Sequence, residues 1–296
     1  MVPVPVTLAS IPSPSSGVVD IGPVAIHMYG LMLLLGIAAA ITITGLRWRA
    51  LGGDWDLVVR AAVWGVAWGI VGARLYHVAT SWDELPDHWW GPFAVWRGGL
   101  GIWGGVVFGV VAGAVVVRRA GESVRLMLDA VAPALLVAQG IGRWGNWFNQ
   151  ELFGKPTSLP WGLEIDLDHR PAAYLGSSTF HPTFLYEFLY DLLAAGLLVL
   201  VGRRFRIRPP ALFSLYVALY SFARIFEELL RVDPSHHVAG ERVNFWVALG
   251  CCLAGLAFFV WWQFFRHETV APRPRRRPEP RGPAMTVPKS RVRRTR

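Results

Sequence analysis

Long apolar runs separated by short polar segments dominate this sequence. The runs are each about 20 residues long, which is the length a helix needs to cross the hydrocarbon core of a bilayer. They predict seven transmembrane helices, near residues 24–46, 57–79, 98–118, 124–142, 183–202, 210–229 and 243–265. The predicted fold class is therefore an all-α polytopic membrane protein with about seven helices and a small extracytoplasmic lobe.

The charges between the runs alternate in sign and predict the orientation of the helices. One set of loops is basic, with Arg47, Arg49, Arg118, Arg119, Arg125, Arg203, Arg204, Arg206 and Arg208. The opposite loops are acidic, with Asp83, Glu84, Asp87, Glu164, Asp166 and Asp168. Because basic loops stay in the cytoplasm, the N-terminus is predicted outside and the C-terminus inside.

The segments around the helices predict a simple domain organisation. Residues 1–23 lack the basic start of a signal peptide and are interpreted as an extracytoplasmic tail. Residues 24–265 form the predicted membrane domain, with an interfacial arm at 81–96 and an extracytoplasmic lobe at 151–180. Residues 266–296 are rich in Arg and Pro and are predicted to be a disordered, basic cytoplasmic tail.

Composition supports a protein embedded in the lipid bilayer and excludes several other classes. Hydrophobic residues make up 53% of the chain and charged residues only 17%, while the 15 Trp suit membrane interfaces. The net charge of +9 arises mostly in the tail and loops, so we predict no nucleic-acid partner. Cys251 and Cys252 are adjacent in an apolar run, and no disulfide, metal or cofactor site is predicted.

One polar stretch, residues 142–154, directly follows an apolar run. As a helix it would place Arg143, Asn146 and Gln150 on one face, at i, i+3 and i+7. Its aromatic residues would lie on another face, at the edge of the bilayer: Trp144, Trp147 and Phe148. The helix is predicted to end within residues 153–156, where Gly and Pro occur.

A second polar stripe lies on the sixth predicted helix. Tyr220, Arg224, Glu228 and Arg231 recur at i, i+4, i+8 and i+11, so they must face a cavity or polar partners rather than lipid. Glu228 neutralises part of the charge, but nearby carboxylates look too few to pair Arg143 and both arginines of the stripe. Arginines left unpaired at this depth would form an anion site suited to a phospholipid headgroup.

Other polar residues at membrane depth leave alternatives open. Tyr29 is either an interfacial anchor or part of a site, and His181 is either a hydrogen-bonded structural residue or part of a site. Arg74 is expected to pair with a carboxylate such as Asp129. The glycines of residues 98–105 serve close helix packing or close approach of a ligand.

Five sequence blocks carry a family resemblance, in order along residues 20–265. They are HMYG, GGLGIWGG, GRWGNWFNQELFG, HPTFLYE and YSFARIFEELLRVDP. Together they closely resemble bacterial prolipoprotein diacylglyceryl transferases. The resemblance implies a multi-pass enzyme of the bacterial cytoplasmic (inner) membrane with its site facing the extracytoplasmic side. Its reaction would move the sn-1,2-diacylglyceryl group from phosphatidylglycerol to the lipobox cysteine of a preprolipoprotein signal peptide and release glycerol 1-phosphate.

The resemblance also implies roles for individual residues. Arg143 and Arg224 would bind phosphate and stabilise the leaving group. The remaining candidate catalytic residues are Glu151 and Asn146. The candidate substrate-binding residues are Tyr29, Gly154, His181, Tyr220, Glu228 and Arg231.

The chain departs from some members of the family at Trp103, where they carry a His that has been considered a base. Trp cannot accept a proton, so the thiol proton needs another acceptor. Glu151 is the first candidate, and His27, His181, a water molecule or no dedicated base are the alternatives. Two other functions stay open from sequence: a transporter or flippase of an anionic phospholipid, and a structural protein whose arginines are all internally paired.

Overall fold

Seven α-helices make up most of the computed structural model, which describes residues 10–85, 88–95 and 98–266. They are α1 (Met28–Ala50), α2 (Trp55–Thr80), α3 (Ile102–Arg119), α4 (Val124–Phe148), α5 (Thr183–Arg204), α6 (Ala211–Leu230) and α7 (Val243–Val260). Six are long and apolar enough to cross a membrane, α7 together with the π-helical turn Trp261–Phe265 that follows it. The helix α6 differs because it carries Arg224, Glu227 and Glu228. The chain is thus an all-α, multi-pass membrane protein, as predicted.

Two helix boundaries differ from the sequence prediction for local reasons. The helix α1 begins at Met28 rather than near residue 24, because β1 (Val18–Ile21) and β2 (Val24–His27) pair as an antiparallel hairpin. The helix α4 continues to Phe148 and then stops, earlier than the predicted end at 153–156. Gln150 and Leu152 then adopt positive φ angles of 50° and 58°, which no α-helix accommodates.

The helix α4 lies at the centre of the bundle, in contact with α1, α3, α5 and α6. It runs antiparallel to α1. Arg47 near the end of α1 donates to the carbonyl of Ala130 near the start of α4, at 3.0 Å. At the other end, the ring of Tyr29 packs on Gly145 so closely that a Cβ there would lie 2.5 Å from it. The basic helix ends therefore lie together, opposite the end of α4 that carries Arg143.

Glycines bring α2 and α3 into close contact. An added Cβ on Gly72 would lie 2.5 Å from the carbonyl oxygen of Gly104, and one on Gly69 would lie 3.4 Å from that of Gly105. The glycines at the start of α3 thus serve helix packing, one of the two alternatives left open by the sequence.

Arg74 does not pair with Asp129. Its guanidinium donates to the carbonyls of Gly91, Pro92, Gly98 and Gly99, at 2.7–3.0 Å, and so fastens the loop that follows α2 to the end of that helix. The predicted partner lies at the other end of the bundle, because Asp129 accepts from the backbone N–H of Phe213 at the start of α6, at 2.9 Å.

Residues 149–182 form a small lobe over one end of the bundle. It contains the two-stranded sheet β3 (Leu163–Glu164) and β4 (Thr179–Phe180) and short 3-10 turns at Leu167–His169 and Ala172–Tyr174. Its core consists of Phe153, Leu163, Ile165 and Phe180, together with Phe184 of α5. A last hairpin, β5 (His237–Val238) and β6 (Glu241–Arg242), precedes α7. The predicted tail from residue 267 onward lies outside the described residues, as do parts of the predicted arm at 81–96.

Candidate active site

Three helices place arginines and carboxylates together at the end of the bundle that lies under the lobe. Arg143 of α4 contacts Glu187 of α5, with 2.6 Å between Nη2 and Oε1. The second oxygen of Glu187 lies 3.8 Å from Nη1 of Arg224 on α6. Glu187 therefore bridges the two arginines that the sequence places on different helices.

The last turns of α6 and the loop after it extend the cluster. Arg224 forms ion pairs with both Glu227 and Glu228. Glu228 also accepts from Nε of Arg242 at 2.7 Å and lies 3.7 Å from Nη1 of Arg231. The polar stripe predicted on α6 therefore faces protein partners, with Glu228 at its centre.

Asp233 completes the cluster outside the membrane-spanning helices. It accepts from Arg231 at 2.7 and 2.9 Å and from Arg242 at 2.8 Å. Burial alone would raise the pKa of Asp233, but the hydrogen bonds and charges of the two arginines outweigh it and lower that pKa. Asp233 thus stays ionised and fixes both guanidinium groups.

The expectation that carboxylates are too few to pair the arginines is wrong. The described ion pairs join four arginines to four carboxylates: Arg143, Arg224, Arg231 and Arg242 to Glu187, Glu227, Glu228 and Asp233. The sequence-based count left out Glu187, which lies on α5, and Asp233, which lies in the loop after α6. The cluster is therefore close to neutral rather than strongly basic.

Exposure differs between the two kinds of charge. The side chains of Arg143 and Arg224 are 18% and 15% exposed, whereas those of Glu187 and Glu228 are 2% and 0% exposed. The carboxylates thus lie behind the guanidinium groups and hold them in place. Each guanidinium has five N–H donors, so several remain for an anion approaching from the exposed side.

A hydrogen-bonded chain connects Arg143 to the residues that follow α4. Its Nη1 donates to Asn146 at 3.4 Å, and Asn146 donates in turn to Oε1 of Glu151 at 3.0 Å. Asn149 donates to the same oxygen at 3.3 Å. Tyr220 accepts from Arg143 at 3.5 Å. The structure therefore brings these sequence-predicted site residues together and leaves the exposed carboxylate of Glu151 oriented by two amides.

Gln150 is not on the face predicted from sequence. Because the helix has already ended, its amide turns to the lobe, where it donates to Asp166 at 2.6 Å and to the carbonyl of Pro14 at 3.0 Å. Its Oε1 accepts from the backbone N–H of Asp166 at 2.8 Å. Gln150 therefore fastens the lobe to the bundle.

The aromatic residues of α4 contact neighbouring parts of the protein. Trp144 packs edge-on against Phe184 and Phe188 of α5, at centroid distances of 5.4 and 5.5 Å. Trp147 stacks on Phe184 and donates to the carbonyl of Pro12 at 3.2 Å. These rings join α4 to α5 and to the core of the lobe.

Gly154 and His181 lie where the lobe meets the end of α6. Gly154 donates to the carbonyl of His181 at 2.9 Å and pairs with Arg231 in an isolated antiparallel bridge. A Cβ on Gly154 would lie 2.8 Å from that of His181, so the close approach requires glycine. The His181 ring contacts the hydroxyl of Tyr186 at 3.1 Å, and burial lowers the pKa of His181. Gly154 therefore positions the backbone of Arg231, and His181 supports Gly154.

Several cluster residues were missed as site residues from sequence. Glu187 carried a signal, since a carboxylate near the start of an apolar helix needs a partner. Asp191, one turn further along α5, is fully buried, and both of its oxygens lack a hydrogen bond among the described residues. Arg242 and Asp233 carried no such signal, because charged residues in a loop next to a span are ordinary.

Trp103 lies at the second position of α3 and is half exposed. Its helix packs on α2 through the glycines described above. The described contacts of the cluster come from α4, α5, α6 and the loops beside them, and no ion pair of the described cluster involves Trp103.

Comparison with known proteins gives the family of this chain. The sequence profile of the family described as prolipoprotein diacylglyceryl transferase matches residues 16–261. The phosphatidylglycerol–prolipoprotein diacylglyceryl transferase of Cutibacterium acnes is 49% identical over 243 residues, 81% of this chain and 82% of the relative. The enzymes of that name from Frankia alni and Frankia casuarinae are 48% and 46% identical over 255 and 256 residues. Each of these alignments covers 84% of this chain but only 66% and 61% of the relatives, just under two thirds of their length. The chain belongs to the prolipoprotein diacylglyceryl transferase family.

Proposed function

We propose that this protein transfers the sn-1,2-diacylglyceryl group from phosphatidylglycerol to the lipobox cysteine thiol of preprolipoproteins, releasing glycerol 1-phosphate. Family membership supports the reaction class. The position of the proposed active site is supported by Arg143 and Arg224, whose guanidinium groups lie in front of buried carboxylates. The positive-inside rule assigns this end of the bundle to the extracytoplasmic side of the bacterial cytoplasmic membrane.

The arrangement suits a displacement at the glyceryl carbon that carries the phosphate. The cysteine sulfur forms a bond to that carbon while the carbon–oxygen bond to phosphate breaks, and the bonding pair leaves with the phosphate oxygen. The phosphodiester thereby becomes a phosphomonoester and gains negative charge. Guanidinium donors already fixed by Glu187 and Glu228 would stabilise that charge without reorganising, which is the main requirement for electrostatic catalysis.

Glu151 is the proposed acceptor of the thiol proton. Its carboxylate accepts from Asn146 and Asn149, at 3.0 and 3.3 Å, so it is oriented yet exposed to an incoming substrate. Asn146 also links it to Arg143, which places the proposed base beside the proposed phosphate site. If Glu151 is the base, Glu151→Gln should abolish the acid limb of the rate–pH profile; an unchanged profile would exclude that role.

The remaining candidates have supporting roles in this proposal. Tyr220 contacts Arg143, and Gly154 sets the position of Arg231 through its backbone pairing. Tyr29 packs on Gly145, beside Asn146, where its ring borders the site. His181 supports Gly154 from the lobe.

A transfer assay with purified protein, labelled phosphatidylglycerol and a lipobox peptide tests the proposal. Wild-type protein should form the thioether, and Arg143→Ala should lower kcat by at least about a hundredfold, as for loss of a transition-state donor. Arg118→Ala, an exposed arginine at the opposite end of the bundle, is the matched control. Absence of transfer by the wild-type protein would refute the proposed reaction.

The same preparation separates the enzyme from a lipid transporter. Transporters commonly have interrupted helices near the bilayer midplane, whereas α1–α7 are continuous and the ion pairs lie at one end of the bundle. Reconstituted protein should therefore leave labelled phosphatidylglycerol on its original leaflet. Translocation without thioether formation would favour the transporter.

A further inference from the structure

A groove runs between α2 and α3 at the end of the bundle opposite the arginine–carboxylate cluster. Its volume is about 790 Å³. The helix α2 contributes Arg60, Trp64 and Trp68, at i, i+4 and i+8, and α3 contributes a matching stripe between Val107 and Arg119. Side chains with this spacing lie along one face of a helix, so the groove runs along both helices rather than across them.

Glycine packing explains why the groove has this shape. Gly65 and Gly109 meet so closely that a Cβ on Gly65 would lie 3.4 Å from the carbonyl oxygen of Gly109. The two helices therefore lie close together, and the large side chains beside this contact line the groove. Trp64 is 53% exposed and Val111 57% exposed, so neither is covered by another part of the described chain.

The charged residues that line the groove are both arginines, and both lie at its end. Arg60 is in the first turns of α2 and Arg119 is the last residue of α3. Both are exposed, and neither forms an ion pair with a residue that the structure describes. Asp54 and Asp56 line a separate hollow on the other side of Arg60, where Asp54 caps α2 by accepting from Asp56 at 3.1 Å.

We propose that this groove is a binding site for an anionic phospholipid of the cytoplasmic leaflet. The phosphodiester lies between Arg60 and Arg119, and one acyl chain lies along the groove between Trp64 and Val111. The stripe on α2 is about 12 Å long and that on α3 about 18 Å, at about 1.5 Å per residue. One leaflet contributes about 15 Å of hydrocarbon, so the groove matches the depth of a single acyl chain. The basic mouth favours an anionic headgroup, and the basic ends of α1, α3 and α5 lie at the same end of the bundle.

Photo-crosslinking in neutral detergent tests the site on the full-length protein. The probe is phosphatidylserine with a diazirine in one acyl chain, chosen because it differs from the proposed substrate, and phosphatidylcholine with the same chain is its neutral counterpart. Peptide mapping should find the phosphatidylserine label on residues 60–68 and 107–119. Arg60→Gln/Arg119→Gln should weaken labelling of these peptides about fivefold for each arginine and about thirtyfold for both.

Two matched controls separate a specific site from general attraction. Arg49→Gln/Arg118→Gln removes the same charge from the same end of the bundle without touching the groove, and labelling should persist. Val111→Trp fills the groove while keeping both arginines and should block labelling, whereas Val110→Trp, on the neighbouring exposed face, should not.

Three results would overturn the proposal. They are equal groove labelling by both lipids, equal loss in the two arginine double variants, and labelling of the groove peptides that survives Val111→Trp. A dimer that buries these peptides, seen by size-exclusion chromatography with mass analysis, would also overturn it and assign the groove to a second copy. Transferase activity is not a readout here, so the test is independent of the proposed reaction.

Discussion

Replacing Glu187 by glutamine tests whether the buried carboxylates hold the arginines of the cluster. Glu187 is 2% exposed and lies 2.6 Å from Arg143 and 3.8 Å from Arg224. Removing one partner of a fully buried ion pair costs about 3–5 kcal/mol. The amide can keep one hydrogen bond, worth about 1 kcal/mol, and the 18% exposure of Arg143 lets solvent offset part of the rest. We therefore expect a loss of about 2 kcal/mol in the free energy of unfolding.

Thermal unfolding in detergent, followed by tryptophan fluorescence, measures this loss. A change of about 2 kcal/mol should lower the Tm by about 4–8 °C for a chain of this size. Glu122→Gln makes the same chemical change at a partly exposed position outside the cluster and should stay within about 0.5 kcal/mol of wild type. A double-mutant cycle with Arg143→Met should give a coupling of about 1–3 kcal/mol. Additive single-variant effects would refute the ion pair as a stabilising contact.

Glu187→Gln also tests whether Glu187 competes with a bound phosphate for Arg143 or orients Arg143 toward it. If Glu187 only competes with phosphate for Arg143, then Glu187→Gln will bind glycerol 1-phosphate more tightly. If Glu187 orients the guanidinium, binding will weaken because the donors lose their fixed positions. The burial of Glu187 behind Arg143 favours orientation, so we expect a higher inhibition constant for glycerol 1-phosphate.

Three further predictions concern the junction of lobe and bundle. Gly154→Ala should lower the free energy of unfolding by about 1–3 kcal/mol because its methyl group would lie 2.8 Å from Cβ of His181. Gly176→Ala, with open space around it, should be neutral in the same melt. The pKa of Asp233 is lower in the folded than in the unfolded protein, so its ionised form stabilises the fold above about pH 4 and this stability is lost as the pH falls further. Asp233→Asn should therefore reduce the fall in Tm below about pH 4. Asp168→Asn, exposed in the lobe, should leave that fall unchanged. His181→Gln should reduce the fall in Tm between about pH 7 and 5, because a His whose folded pKa is lowered favours the unfolded state as pH falls through about 6.5; an unchanged slope would show that His181 is not the group responsible.

Apolar runs of about 20 residues predicted most of the fold because they reflect a local requirement. A helix that crosses lipid must be apolar over most of its length, so these runs located α1–α7, although α6 also carries three charged residues. The polar stripe from Tyr220 to Arg231 followed from helical spacing for the same reason. Arg143 and Arg224 could be identified as residues that need polar or charged partners, because a guanidinium group at that depth is costly without one.

The pairing of those residues was decided by tertiary structure. Glu187 lies 44 positions after Arg143 and 37 before Arg224, and only the packing of α4, α5 and α6 brings it between them. Arg242 joins Glu228 because a hairpin turns the chain back before α7. No spacing rule encodes these contacts, since their geometry depends on how separate helices cross.

At the end of α4, too, sequence determined some features and tertiary structure determined others. Sequence placed a polar helix end at residues 142–154, with Arg143 and Asn146 on one face, and both residues do lie in one hydrogen-bonded chain. The left-handed backbone at Gln150 and Leu152 could not be foreseen, because neither residue type prefers it. The contacts of Gln150 with the lobe outweigh that local preference. Sequence thus determined which residues lie in the membrane and which need polar partners, and the crossing of the helices determined which partners they have.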